Sequence, residues 1–258
     1  SITSQRIRQG LLALLVGATV VVLVAAALFI RSVDHAFGDT AGFDVERTVF
    51  AAVPVTPPVT FRSYEFQGAR SRMVRDALRG IPGVDSVALG MAPISDSAVS
   101  RLRQTMQVRT EGAIHELRTS FLGGSPDLLS TLGIPIILGR GLTPSDLNAQ
   151  PVPTVVTESM ARKLWPEKGP VGQLVGGHYI VVGVARDFAF GSLAHPAEGV
   201  LVVPRDDQSA IARFVIRTVR SDPSLPEEVR RRLRDLLPDT ATATVMTGRE
   251  VVARDMGR

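Results

Sequence analysis

The sequence predicts an α+β protein: one N-terminal transmembrane helix, then an extracytoplasmic, ferredoxin-like βαβ…βαβ domain carrying an inserted small α/β subdomain. Three observations lead there. Residues 11–30 read LLALLVGATVVVLVAAALFI, twenty residues without a charge. A strand–helix–strand pattern occurs twice, at 48–89 and at 212–247. Between the two copies, residues 115–205 have a different texture.

As a helix, the apolar run is roughly 30 Å long, which matches the hydrocarbon core of a bilayer. Gly17 and Thr19 are tolerated there because the backbone hydrogen bonds close inside the segment. A buried core helix keeps a polar face, and this run has none. A cleaved secretory signal is the open alternative. Ala25-Ala26-Ala27 imitates a cleavage site, but Leu28-Phe29-Ile30 carry the apolar run past it. Arg6 and Arg8 precede the run with no acid, whereas Arg31 is followed by Asp34, Asp39, Asp44 and Glu46. The positive-inside rule therefore expects residues 1–10 in the cytoplasm and a span at 11–31 in the inner (plasma) membrane. Everything later is then extracytoplasmic.

The elements follow in order. Residues 48–53 (TVFAAV) form a strand, which Pro54, Pro57 and Pro58 end because proline cannot donate to a ladder. Residues 63–79 form a helix, with Phe66, Ala69, Met73 and Ala77 on its apolar face and arginines between them. Pro82-Gly83 stops it. Strands follow at 84–89 and 104–110, with a loop at 92–101 between them. Residues 117–122 are a further strand candidate. Ser125-Pro126-Asp127 then starts a two-turn helix to Leu132: serine caps, proline takes the first helical position, and Gly133 closes. Residues 139–153 and 169–177 read as loops, and 158–165 as a helix stopped by Pro166. Strands are expected at 153–157, 179–184, 200–203, 212–219 and 242–247. The helix at 223–237 has Ser224 as its cap and Glu227 and Glu228 in its first turn. Two strand–helix–strand units can share one sheet. The outer unit is therefore assigned 45–112 with 208–250, and the insert 113–207.

Charge and composition narrow the chemistry. The chain has 258 residues and a net charge of +4, of which residues 1–31 supply three arginines and no acid. The remainder is close to neutral, so no footprint for nucleic acid exists. Aromatics are only 5% of the residues, which argues against stacking platforms for bases. With no cysteine there are no disulfides, no thiol catalysis and no thiolate-bound metal.

Motifs for catalysis are missing in the same way. No Gly-Lys pair is present, so there is no phosphate-binding loop for ATP. Gly124-Ser125-Pro126 fails the nucleophile-elbow pattern, and the Ser-x-x-Lys pattern is absent. The histidines are His35, His115, His178 and His195, none four residues from another. His115-Glu116 begins like a zinc-protease motif, but Thr119 stands where the second histidine belongs. Asp206-Asp207 reads as a solvated turn rather than a calcium site. Arg230-Arg231-Arg232 point about 100° apart round a helix, so they read as a solvated face. Trp165, beside Leu164 and Ala161, reads as core. No catalytic, metal or cofactor-binding residue is assigned, and no cofactor is expected.

Several blocks taken together resemble a known family. Leu28-Phe29-Ile30-Arg31-Ser32 and Gly42-Phe43-Asp44 are similar to the entry segment of MacB-like and FtsX-like ABC transporter permeases. Ser125-Pro126-Asp127-Leu128-Leu129, Leu132-Gly133-Ile134-Pro135, Gly139-Arg140-Gly141-Leu142-Thr143 and Asp146 resemble that family's most recognisable block. Val155-Val156-Thr157-Glu158, Ala161-Arg162, Trp165-Pro166, Pro170-Val171-Gly172, Val181-Val182-Gly183-Val184 and Asp187 continue it. The resemblance implies a porter-like α/β part with a second inserted subdomain, hinged against each other. It implies a periplasmic core domain that is no enzyme itself. ATP hydrolysis in a separate cytoplasmic subunit or domain then drives motion for export, efflux or mechanotransmission. The implied partners are membrane lipid, that ATPase, a second permease copy and a periplasmic adaptor, with no nucleic acid. The family pattern also has further membrane helices beyond the domain, so a fragment or one half of a duplicated permease is expected. Two alternatives stay open: a single-span membrane-anchored binding or signalling module without transport, and an anchored hydrolase.

Overall fold

The computed structural model describes residues 17, 19–25, 41–55, 64–92, 94, 104–110, 113–193, 197–205, 211–238 and 243–257. The chain divides into two units, Ser1–Asp39 and Thr40–Arg258. In the first, residues 17 and 19–25 are helical, and Val20, Val21, Val22, Leu23 and Val24 are exposed. No helix among the described residues is long and apolar enough to cross a membrane. The segment 1–10, most of the expected span at 11–31, and the loop 95–101 lie outside the described residues.

The second unit runs β1 (Thr48–Pro54), α1 (Tyr64–Arg79), β2 (Val84–Leu89), β3 (Gln104–Thr110), β4 (Ala113–Gly124), α2 (Leu128–Leu132), β5 (Ile136–Gly139) and a 3-10 helix (Pro144–Asn148). It continues with β6 (Val152–Thr157), α3 (Glu158–Leu164), β7 (Leu174–Val175), β8 (Tyr179–Ala185), β9 (Gly199–Pro204), β10 (Ile211–Thr218), α4 (Leu225–Leu236), β11 (Thr244–Thr247) and α5 (Gly248–Met256). The two strand–helix–strand units share one antiparallel sheet in the order β11-β1-β10-β2. The intervening chain builds a second, mixed sheet of seven strands, β3-β4-β9-β6-β8-β5 with β7 also on β8. β3, grouped with the outer unit on sequence, pairs with β4 along its whole length and so belongs to the second sheet.

Alternation along the strands sorts side chains into layers. Val49, Ala51 and Val53 of β1, Phe214 and Ile216 of β10, and Val87 and Leu89 of β2 face α1 and α4. The residues between them, Phe50, Val215 and Ala88, face the other way, into a core shared with the second sheet. That shared core also takes Leu122 of β4, Val155 of β6, Val200 and Val202 of β9, three leucines of α2, and Val251 and Val252 of α5. Each such side chain contributes roughly 1.5–3 kcal/mol relative to exposure. The far face of the second sheet, with Val156, Leu201 and Val181, is covered by Met160, Ala161 and Leu164 of α3 and by Trp165 at its C-cap. The core reading of Trp165 therefore agrees with its 8% exposure.

Where the two sheets touch, backbones come very close. Gly90 and Gly124 form an isolated antiparallel bridge. A Cβ on Gly124 would sit 2.6 Å from the Leu89 carbonyl oxygen, and one on Gly90 2.7 Å from the Leu128 side chain. Ser125 reinforces the joint. Its amide donates to the Leu89 carbonyl at 2.7 Å, and its hydroxyl accepts from the Leu89 amide at 2.9 Å. The helix-cap role expected of Ser125 is thus corrected: the N-cap of α2 is Asp127, and Ser125 pins one sheet to the other. Gly133, with φ 75°, closes α2 as expected.

Other local expectations need correcting too. The buried face of α1 is Gly68, Ser71, Val74 and Leu78, while Ala69 and Met73 are exposed. Val74 and Leu78 pack on the four-stranded sheet, Ala77 is half-buried, and the Phe66 side chain lies outside the described residues. Ser224 stands at the N-cap of α4, but its hydroxyl donates to Asp222 and accepts no helix amide. The stretch 139–153 contains the 3-10 helix.

Candidate functional site

On α1 the arginines at 72, 75 and 79 fall at i, i+3 and i+7, so they share one face. They line one wall of a groove of about 870 Å³. The facing wall comes from the second half of the joint: Ser125-Pro126-Asp127, then Leu129 and Ser130 of α2, then Gly133-Ile134-Pro135-Ile136. Gly141, Leu142, Pro144 and Leu147 complete it, with Arg205 at the end of β9. Much of this wall is built from the segments that carry the family resemblance.

The polar groups of the groove are unevenly matched. Arg79 donates to the Val87 carbonyl and to Asp127 Oδ2, both at 3.1 Å. Asp127 Oδ1 accepts from the Ser125 hydroxyl. Among the described residues the lining holds one carboxylate, Asp127, and the guanidinium groups of Arg72, Arg75, Arg79 and Arg205. Arg75 is half-buried, and its Nε is buried with no hydrogen-bond partner among the described residues.

The loop on the facing wall is held from behind. Asp146, 4% exposed, accepts a two-pronged ion pair from Arg140, Nη1 to Oδ2 at 2.7 Å and Nη2 to Oδ1 at 3.0 Å. The Thr143 amide donates to the same carboxylate at 2.8 Å. Arg140, then Thr143, hold the Asp146 carboxyl below its ordinary range. A second clasp ties the entry of the domain to β10. Asp44 accepts from Arg47 Nε at 2.7 Å and from Arg217 Nη2 at 3.2 Å, while Arg217 Nη1 donates to the Ser130 carbonyl of α2.

Among the described residues, those weighed on sequence for chemistry do not converge. His115 and Glu116 are neighbours on β4, a strand rather than the helix a zinc motif needs. His178 is exposed, its Nδ1 2.8 Å from the Gly176 carbonyl oxygen. Arg230 contacts Glu227 and the Val245 carbonyl, and Arg231 pairs with Glu228, so this run is the solvated, ion-paired face expected. His35, His195, Asp206 and Asp207 lie outside the described residues. No group of three or more metal-ligating side chains occurs among the described residues. The groove itself went unnoticed on sequence. Its one local signal was the i, i+3, i+7 arginine spacing.

Fold and groove together define a class: a βαββαβ domain enlarged by a second sheet, with an arginine-bearing cleft beside the joint. The model of the MacB-like periplasmic core domain family matches residues 11–236, and the chain belongs to that family. The crystal structure of the periplasmic region of MacB from Actinobacillus actinomycetemcomitans is similar, with TM-score 0.53 and 14% identity. That match covers 81% of this chain and 91% of that one. The extracellular domain of the ABC-type transporter YknZ from Gram-positive bacteria aligns with TM-score 0.49 and 18% identity, over 78% of this chain and 100% of that one. No curated protein matches the chain.

Proposed function

We propose that this chain is the extracytoplasmic portion of an ABC transporter permease subunit. It would couple ATP hydrolysis in a separate cytoplasmic domain or subunit to movement outside the membrane, for export or for force on a partner. The observation that carries this reading is the family match, which runs through both sheets. The likeness of fold to a MacB periplasmic region supports it. In this reading residues 11–31 span the membrane, 1–10 are cytoplasmic, and the four-stranded sheet is the porter-like part with the seven-stranded sheet as second subdomain. Lipid, the ATPase, a second permease copy and a periplasmic adaptor are the proposed partners. The chain's own role is mechanical, not catalytic.

The shared core bears on the kind of motion. A hinge between the sheets would expose Phe50, Leu122 and Val202 to water at once. Displacement of the domain as one body leaves them covered. Nucleotide must then favour one placement of the domain over another, since a ligand with equal affinity for both moves nothing.

These 258 residues hold no cysteine, so a thiol introduced among them is unique within the domain. His178→Cys should react with a membrane-impermeant maleimide in intact cells, and labelling only after permeabilisation would overturn the extracytoplasmic placement. Spin labels at the same position in two assembled copies should change separation between nucleotide-free and ATP-trapped states. An unchanged separation would remove the coupling.

A further inference from the structure

We propose that residues 41–44 form a rigid splint, in which Gly42 and Asp44 are positioning residues that lock the bearing of the chain as it enters the domain. The use of such a splint rests on the transport reading: movement of an N-terminal span reaches the body without slack only if this segment cannot swivel. Its first support is Gly42, whose φ is 69°. A Cβ there would sit 2.6 Å from Phe188 Cα and 2.7 Å from the Asp187 carbonyl oxygen, so the two backbones touch. Beside that contact the Ala189 amide donates to the Ala41 carbonyl at 3.0 Å. The segment is thereby fastened to the loop that leaves β8 of the second sheet. Its second support is Asp44, which reaches both sheets. The Asp44 amide donates to the Leu132 carbonyl at 3.0 Å, at the end of α2. Its carboxylate accepts from Arg217 Nη2 of β10 at 3.2 Å. The two side chains are only 20% and 17% exposed, so salt screens the pair little. Gly133 makes room for it, since a Cβ there would lie 2.5 Å from Arg217 Nη1. Its third support is direction. Ala41, Phe43 and Val45 are buried in the shared core, but apolar burial favours no orientation. Hydrogen bonds do, because they weaken steeply as they bend, and those to a carboxylate are the stronger kind. A glycine- and serine-rich linker at the same place would behave as a flexible coil.

The test uses the full chain in zwitterionic lipid nanodiscs, with nitroxide pairs on introduced cysteines and distances read by double electron–electron resonance. A label at Thr40→Cys, one residue ahead of the splint, is paired with His178→Cys on the second sheet or with Ser221→Cys just beyond β10. Both distances should be narrowly distributed in the parent chain. Asp44→Asn keeps the shape of the side chain and removes its charge, and Gly42→Ala forces the segment off Phe188. Each should broaden both distributions. The distance between labels at 178 and 221 bypasses the splint, and it should stay narrow in every variant. A residue that merely added stability would leave the folded-state distances from Thr40 narrow. No nucleotide or partner enters the measurement, so a failure here leaves the transport reading standing. Broad distributions from Thr40 in the parent chain, or distributions as narrow in either variant as in the parent, would overturn the proposal. So would a 178–221 distance that broadens with them, because these residues would then hold the sheets together rather than orient the entry.

Discussion

Asp146 shows how much one carboxylate can organise. It receives both prongs of Arg140 and the Thr143 amide and hydroxyl while almost wholly buried. Asp146→Ala leaves the Thr143 amide and Arg140 without that acceptor, and should cost about 2–3 kcal/mol in urea denaturation. The pH dependence has a definite sign. The folded carboxyl titrates below its unfolded value, which is about 4. Its stabilisation is therefore complete above about pH 4 and is lost as pH falls through the folded pKa. Wild type and Asp146→Asn should differ by a constant amount from neutral pH down to about pH 5, then converge in acid. A gap that widened in acid would contradict the ion pair. The glycine joint makes a second expectation at this scale. Gly124→Ala drives a methyl group against the Leu89 carbonyl, whereas Gly90→Ala meets only the movable end of Leu128. Gly124→Ala should cost about 1–3 kcal/mol, and Gly90→Ala less, in paired urea titrations.

Among the elements, α5 was not anticipated, although a signal for it stood in the sequence. Thr247-Gly248-Arg249-Glu250 is a capping box. The Thr247 hydroxyl accepts from the Glu250 amide at 3.1 Å, and Glu250 accepts from the Thr247 amide at 2.7 Å. Thr247→Ala should destabilise by about 1 kcal/mol, seen as a lower urea midpoint with unchanged slope. The effect reaches the core because α5 delivers Val251 and Val252 there. Strands were legible where an apolar run or an alternation is long enough, as in β1 and β8 for the first and β2 for the second. Short strands were not: β5 has four residues and β7 two, too few for a period to show. The bounds of α1 were legible, but its buried face was not, because that face depends on the sheet packed beneath it. Ser125 was misread for a similar reason. Its partner, Leu89, lies 36 residues earlier, beyond any local pattern. The groove shares that fate, since its walls come from α1 and from residues some fifty positions further along.

For the whole molecule, the question is whether two sheets make one body. Thr40–Arg258 is a single compact unit, and the physical cause is the core that Phe50, Leu122, Val202 and Val215 share. The four-stranded sheet spends one face on α1 and α4 and the other on its neighbour, so neither sheet keeps its burial if they part. Trp165 offers a reporter for this, because it is the only tryptophan and sits on the far side of the second sheet, away from the shared core. Phe50→Ala opens a cavity on β1 and should cost about 3–5 kcal/mol. If the sheets unfold together, the Trp165 fluorescence midpoint in urea falls by the same free energy as the loss of amide-exchange protection on β10. A Trp165 transition that stayed put while β10 lost protection would split the unit in two. In that case a hinge between the sheets would become the better account of any working motion, and displacement of the domain as one body would have to be given up.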